Sequence, residues 1–504
     1  MVISCHVAFS QTGVMNLYSR AIGEHWRWNL DEAINLYTKV ISQSPDLAQA
    51  YFFRGSAFRS KGLDDKALLD FEKAVAKDPN LVEALFGRGQ IYLHNKRYDK
   101  SVQDMTGVLE KSPGYPGAYR IRGEANLGLL KFQAAIDDLS RSIQNNPGDP
   151  EAYYSRALAF QRLGHPDKAL SDLEKTLQLN PKNALAWFRK GNLLFAANNP
   201  AAALESYDKS LSLDPKNAEA YNNRGFVYVS TGKPEAAVED FSRALELNPR
   251  FERALINRAD VYSRLGKNQG ALNDYETLAG IVKPDAGMLV AKAEILLRLG
   301  RTDEAIKNLN QVLASKPDSL DIIALRGQAY KLAQQYEKAV ADFNVVLKTY
   351  PEEASILLDK GQILLLLKQY KQSAAEIDKA LRIDPKLASP QALYDLAVAN
   401  MMAKNFQAAV DHFSRVIAAS PSNGLAIANR GVAYKDLGRL EEAAKDFRQA
   451  LPLLEKQSSK DYTQRLLNET ESAIQARKPK APVQSPATES TSPETGPPQR
   501  NRYW

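Results

Sequence analysis

Cysteine is nearly absent. Cys5 is the one cysteine in 504 residues, so the chain cannot build an internal disulfide framework, and thiolates alone cannot hold a metal. Histidine is scarce, and His6, His25, His94, His165 and His412 are scattered too widely to form a ligand cluster. No apolar run approaches the ~18 residues that a membrane-crossing helix needs. The longest, ILLLL at 363–367, lies within a periodic segment. The sequence has no GxxxxGK[ST], GxGxxG or HExxH stretch, and no serine in a nucleophile-elbow pattern. Together these absences argue against an enzyme, a cofactor, a metal site and a small-molecule substrate. Neither sign of charge prevails strongly: 66 Lys and Arg against 59 Asp and Glu leave +7, and the signs are interleaved. A nucleic acid is therefore not the expected partner.

What is present is a period. Prolines stand at 45, 79, 113, 147, 181, 215 and 249, each 34 residues after the last. Pro284, Pro317, Pro351 and Pro385 follow. Pro284 is one residue late, Pro317 recovers the frame, and Pro421 comes 36 after Pro385. Proline lacks an N–H and disfavours helix in the residue before it, so each should end a helix. Between prolines the apolar residues recur at helical spacing. Gly62, Gly164, Gly232, Gly266, Gly300 and Gly438 lie midway, where a turn between two antiparallel helices would use the left-handed conformation. Small residues such as Ala67, Ala169 and Ala237 share one frame position and would let the paired helices approach closely.

The stretch AEAYNNRGFVYVSTGKPEAAVEDFSRALELNP, 218–249, carries Tyr221, Gly225, Tyr228, Ala237, Phe241, Ala244 and Pro249. Tyr51, Gly55, Phe58, Ala67, Phe71, Ala74 and Pro79 repeat that skeleton. On 34 residues it resembles the tetratricopeptide repeat family. Thirteen units can be laid out: 14–47, six regular ones to 251, then 252–285, 286–319, 320–353, 354–387, 390–423 and 424–457. The resemblance implies an all-α, right-handed superhelical solenoid of antiparallel helix pairs. Around it, residues 1–13 read as a disordered N-terminal segment and 458–477 as a capping helix. The Pro/Ser/Thr-rich tail, 478–504, reads as disordered.

A ladder of cations precedes the mid-helix glycines: Arg54, Arg88, Arg122, Arg156, Lys190, Arg224, Arg258, Lys292, Arg326, Lys360 and Arg430. Sixteen residues after each Arg stands an Asp; the Lys units have Ser, Asn or Glu instead. A planar guanidinium can grip a carboxylate with two hydrogen bonds and lysine cannot, so the ladder reads as a clip within each unit.

In this family the first helix of each unit lines a concave groove. The resemblance places Phe52, Phe86, Tyr154 and Phe188 on an aromatic wall, with Asn192, Asn222, Asn223, Arg253 and Asn257 forming a polar stretch beyond it. Asparagine can donate to and accept from a peptide main chain. Asn192, Asn223 and Arg253 match positions that clamp a C-terminal carboxylate in some relatives, but Phe188 and Asn257 replace basic residues there. Further on, Leu358, Tyr394, Met401 and Met402 suggest an adaptable apolar wall for a partner helix.

The function this implies is a non-catalytic scaffold that binds a peptide or helix of a protein partner, in a soluble and cytoplasmic setting. An alternative rests on VISC at 2–5, a lipoprotein-like box that would make the chain an envelope-associated factor if translation starts upstream. RNA binding by helical repeats is a third possibility.

Overall fold

The structure, a computed structural model, describes residues 2–477, with side chains from residue 13 onward. The tail at 478–504 and the Cys5 side chain lie outside the described residues. Every regular element among the described residues is helical. Contacts divide the chain at Lys283/Pro284 into two units, each a row of antiparallel helix pairs.

Repeat 218–251 shows how the sequence sets the pair. Asn217 opens the helix Ala218–Ser230, its side chain accepting from the Ala220 N–H. The turn passes through Gly232 at φ 72°, and Pro234 then fills the first position of Pro234–Leu247, where a missing N–H costs nothing. Asn248 closes the repeat by accepting from the Arg250 N–H. Asp78, Asn146, Asn180, Asp214 and Asp384 make the same bond before or around their prolines.

All thirteen intra-repeat turns use the left-handed conformation. Six have glycine there, and the others place Trp28, Lys96, Leu130, Asn198, Gln334, Lys368 and Lys404 at φ between 57° and 66°. Within the pair, the ring of Phe241 presses on Gly225, so closely that a Cβ on that glycine would sit 2.8 Å from it. Phe71, Tyr207, Phe343 and Phe447 pack in the same way on Gly55, Gly191, Gly327 and Gly431.

The structure departs from the sequence reading at the N-terminus. The sequence reads residues 1–13 as disordered, but one helix runs Val2–Trp26 and packs on Leu30–Gln43 through Ala21, Leu36 and Tyr37. The two residues inserted after Pro385 form a short 3-10 turn, Pro385–Leu387. Ser389 then caps the helix Pro390–Met402. The last described helix, Gln457–Arg477, lays Leu467 against Phe447, Ala443 and Ala444 of the final repeat.

Candidate functional site

The cationic ladder is consumed within the fold. All eight Arg–Asp pairs form two-pronged bonds at 2.6–2.9 Å, with Asp accepting from Nε and Nη2 of the arginine sixteen residues earlier. Seven of these arginines have a third bond that sequence reasoning missed. Nη1 donates backwards, to a residue sixteen positions earlier on the second helix of the preceding repeat: Thr38, Thr106, Ser140, Asp208, Ser242, Asn310 and Ser414. Arg224 also lies between the rings of Tyr221 and Tyr228. Burial opposes its charge, but the bonds and charges of Asp240 and Asp208 outweigh that and raise its pKa. These guanidiniums are not free to take a phosphate backbone or an acidic peptide.

The asparagines are brought together, though not as an open row. Asn257 Nδ2 donates to Asn222 Oδ1 at 2.9 Å, Asn222 Nδ2 to Asn223 Oδ1 at 3.1 Å, and Asn223 Nδ2 to Asn192 Oδ1 at 2.9 Å. The Tyr207 hydroxyl donates to the same Asn192 oxygen at 2.7 Å. Burial raises the Tyr207 pKa, so it stays a neutral donor. The chain of amides thus runs in one direction across three repeats. Its two ends, Asn192 Nδ2 and Asn257 Oδ1, have no hydrogen-bond partner among the described residues.

Those ends open into a pocket of about 310 Å³ lined by Asn192, Phe195, Tyr207, Asn223, Phe226, Arg253, Ile256 and Asn257. Phe195 and Phe226 meet edge to face at 5.9 Å, and Phe226 and Ile256 are exposed on its rim. Arg253 is exposed beside them with no ion-pair partner among the described residues. Sequence reasoning missed Phe195, Phe226 and Tyr207 as pocket residues. Phe226 did leave a signal: the residue after the mid-helix small residue is Ser56, Gln90, Glu124, Leu158 and Asn192 in the preceding repeats. Phe226 is the first aromatic in that column.

Other expected groove residues turn inward. Phe188 is only 4% exposed and packs in the core against Tyr207, so it is not a groove side chain. Asn222 is 1% exposed and spends its amide inside the network. Phe52, Phe86 and Tyr154 are half-buried and pack on neighbouring repeats rather than forming an open aromatic wall. Phe86 packs at 4.9 Å on the tilted ring of Tyr115, and Phe52 joins the cluster that contains Ala84. In the second unit, Leu358, Tyr394 and Met401 pack on the core around Phe413, and the Tyr394 hydroxyl accepts from Asn429 Nδ2 at 2.9 Å. Met402 alone of this set is exposed. The same face carries a second polar chain, in which Lys331 donates to Asp359 and Gln362, and Gln362 to Asp395.

The tetratricopeptide repeat profile matches residues 29–82, 154–218, 290–347, 324–388, 386–424 and 405–458, and related profiles match 218–251 and 71–103. The chain belongs to the tetratricopeptide repeat family. Members of this family are protein-interaction scaffolds and are generally non-catalytic. No curated protein matches the sequence. Among solved structures, pilF from Pseudomonas aeruginosa is 22% identical, with 41% of this chain and 94% of that one covered, at a TM-score of 0.37. A tetratricopeptide repeat protein from Parabacteroides merdae is 21% identical, with 49% and 98% covered, at 0.36. The C-terminal part of a repeat protein from Cytophaga hutchinsonii is 18% identical, with 48% and 98% covered, at 0.39. No helix of the described residues is long and apolar enough to cross a membrane.

Proposed function

We propose that the chain is a scaffold that holds an extended peptide segment of a protein partner at the pocket around Asn192, Asn223, Arg253 and Asn257. The observation that carries this reading is the pair of unspent amide groups at the two ends of the asparagine chain, facing one pocket. Asn192 Nδ2 offers a donor to a peptide carbonyl, and Asn257 Oδ1 an acceptor for a peptide N–H. Phe195, Phe226 and Ile256 offer apolar area at low entropy cost, and Arg253 offers a charge to an acidic residue. The segment selected is thus an apolar residue next to an acidic one. A clamp for a C-terminal carboxylate of the kind found in some relatives fits less well. Phe188 and Asn257 stand where it needs cations, and the Phe188 side chain is buried. The consumption of the arginine ladder in clips favours a protein partner over RNA.

The test is selection of peptides from a displayed random library on the immobilised full chain, repeated with Arg253→Glu and with Phe226→Ala. Enrichment of acidic–apolar motifs that disappears with Arg253→Glu supports the reading. No enrichment over blank resin, or the same motifs on both variants, overturns it.

A further inference from the structure

The end of the first unit that carries the intra-repeat turns has a composition that the pocket does not explain. Trp28 and Leu130 occupy the left-handed turn position, at φ 63° and 60°, where other repeats use glycine. A bulky side chain there is strained. Neither residue is compensated by packing: Trp28 is 71% exposed and Leu130 72%. Trp26, two residues before Trp28, is 83% exposed, and Leu63 and Leu163 are exposed in the turns of their own repeats.

These turns form one edge. Lys61 pairs with Asp31 across the first two turns, and the ring of Tyr98 lies against Gly128 across the third and fourth. Around and beyond the apolar tips the edge is basic, with Arg27, Lys61, Lys96, Arg97 and Lys131 among them, Lys233 and Lys267 in later turns, and no acidic residue in those turns. The nearest carboxylates, Asp31, Glu32, Asp64, Asp65, Asp99, Asp167 and Glu235, sit back in the first turn of the following helices; Asp31 is held by Lys61, and Arg27 is paired with Glu24 near the end of the helix before it. The turns at the opposite end are mixed in sign, with Asp46, Asp78, Asp149 and Asp214 against Lys182, Lys216 and Arg250.

We infer that this edge docks on the surface of an anionic lipid bilayer. Tryptophan favours the headgroup level, exposed leucine favours the acyl boundary, and lysine and arginine between them attract anionic headgroups. The tips project singly, one or two per turn, which suits shallow insertion into a fluid interface. Leu63, Leu130 and Leu163 have no face on which a nucleobase could stack, so a nucleic acid fits the edge less well.

The experiment is co-sedimentation of the full chain with phosphatidylcholine vesicles and with vesicles that also contain phosphatidylglycerol, at low and high salt. Quenching of tryptophan emission by brominated acyl chains reports insertion. The comparison variant is Trp28→Gly combined with Leu130→Gly, which keeps the turn conformation, and its thermal midpoint is measured alongside. The expected result is binding to the anionic vesicles only, weakened by salt, quenched by bromine, and reduced about tenfold or more in the double variant with an unchanged or higher midpoint. Absence of binding to anionic vesicles at low salt overturns the inference. So does equal binding by the double variant. An emission shift produced by single-stranded RNA but not by vesicles also overturns it and assigns the edge to nucleic acid.

Discussion

Arg224 and Asp208 lie in different repeats, yet Nη1 of the arginine donates to the carboxylate at 2.6 Å. The other arm of the same guanidinium grips Asp240 in its own repeat. One side chain therefore joins three helices in two repeats.

Removing that side chain should cost more than a surface ion pair. Arg224→Ala leaves Asp240 buried without its counter-charge, and the expected loss is about 3 kcal/mol. Because repeat arrays open locally, the measurement is native-state hydrogen exchange. Protection should fall in Ala218–Ser230, in Pro234–Leu247 and also in Pro200–Leu213, which carries Asp208. Arg224→Lys should recover only part of it, since an ammonium cannot serve both carboxylates in the same planar geometry. Loss of protection confined to repeat 218–251 would show that the third arm contributes nothing.

Folding and binding should separate at the pocket. Asn222→Leu breaks two amide bonds in a buried position and leaves Asn257 Nδ2 and Asn223 Oδ1 short of a partner, costing about 1–3 kcal/mol in urea unfolding. Phe226→Ala, on the exposed rim, should shift unfolding by no more than about 0.5 kcal/mol while weakening capture of acidic–apolar peptides. Equal capture by Phe226→Ala and the unaltered chain would remove Phe226 from the site.

Two glycine exchanges should move stability in opposite directions. Gly225→Ala gains helix propensity but drives a Cβ to 2.8 Å from the Phe241 ring, and the overpacking should win by about 1–3 kcal/mol. Leu130→Gly relieves a left-handed leucine and should raise stability by about 1 kcal/mol. Chemical denaturation of the two variants side by side checks both signs.

Alkaline pH should destabilise the first unit. The Tyr92 hydroxyl, buried and donating to Glu72 at 3.0 Å, has its pKa pushed up from 10.0 to about 12 by burial first and then by Glu72. Between those values the unfolded chain has lost the proton that the folded chain keeps, so stability is full below pH 10 and falls as pH rises towards 12. Tyr92→Phe should flatten that fall in a series of unfolding midpoints. An identical slope in the variant would assign the alkaline sensitivity elsewhere.

The helix pairs were legible because each repeat spells out its own ends. Proline, an Asp or Asn before it and a left-handed turn recur on a fixed step of 34, and the Arg–Asp pair recurs at sixteen. The third arm of the clip was not legible, although its spacing is just as regular. Any short side chain with an oxygen serves there, so Thr38, Ser140, Asp208 and Asn310 share a position without sharing a letter. The site was legible only in part. The column that holds Phe52, Phe86, Tyr154, Phe188 and Asn222 was read as groove surface. In the fold it lies largely against neighbouring repeats, as the bond from Asn257 to Asn222 shows. A period of 34 fixes which way a residue points, but how far the next helix covers it depends on side-chain sizes in two repeats at once. The N-terminal helix was missed for a different reason: Val2–Trp26 lacks the aromatic–glycine skeleton and has no proline or glycine signal before its first turn.

The reach of Arg224 and Arg258 to partners sixteen residues behind and sixteen ahead has a consequence for how such a chain can change length. Excising residues 218–251 as a block brings Asp208 to sixteen positions before Arg258, the place that Ser242 holds now. The forward bond to Asp274 is untouched by the cut. Whole repeats can thus be gained or lost by recombination with every clip re-formed at the new junction, whereas an insertion of any other size between two clipped residues shifts the spacing of sixteen on which that clip depends.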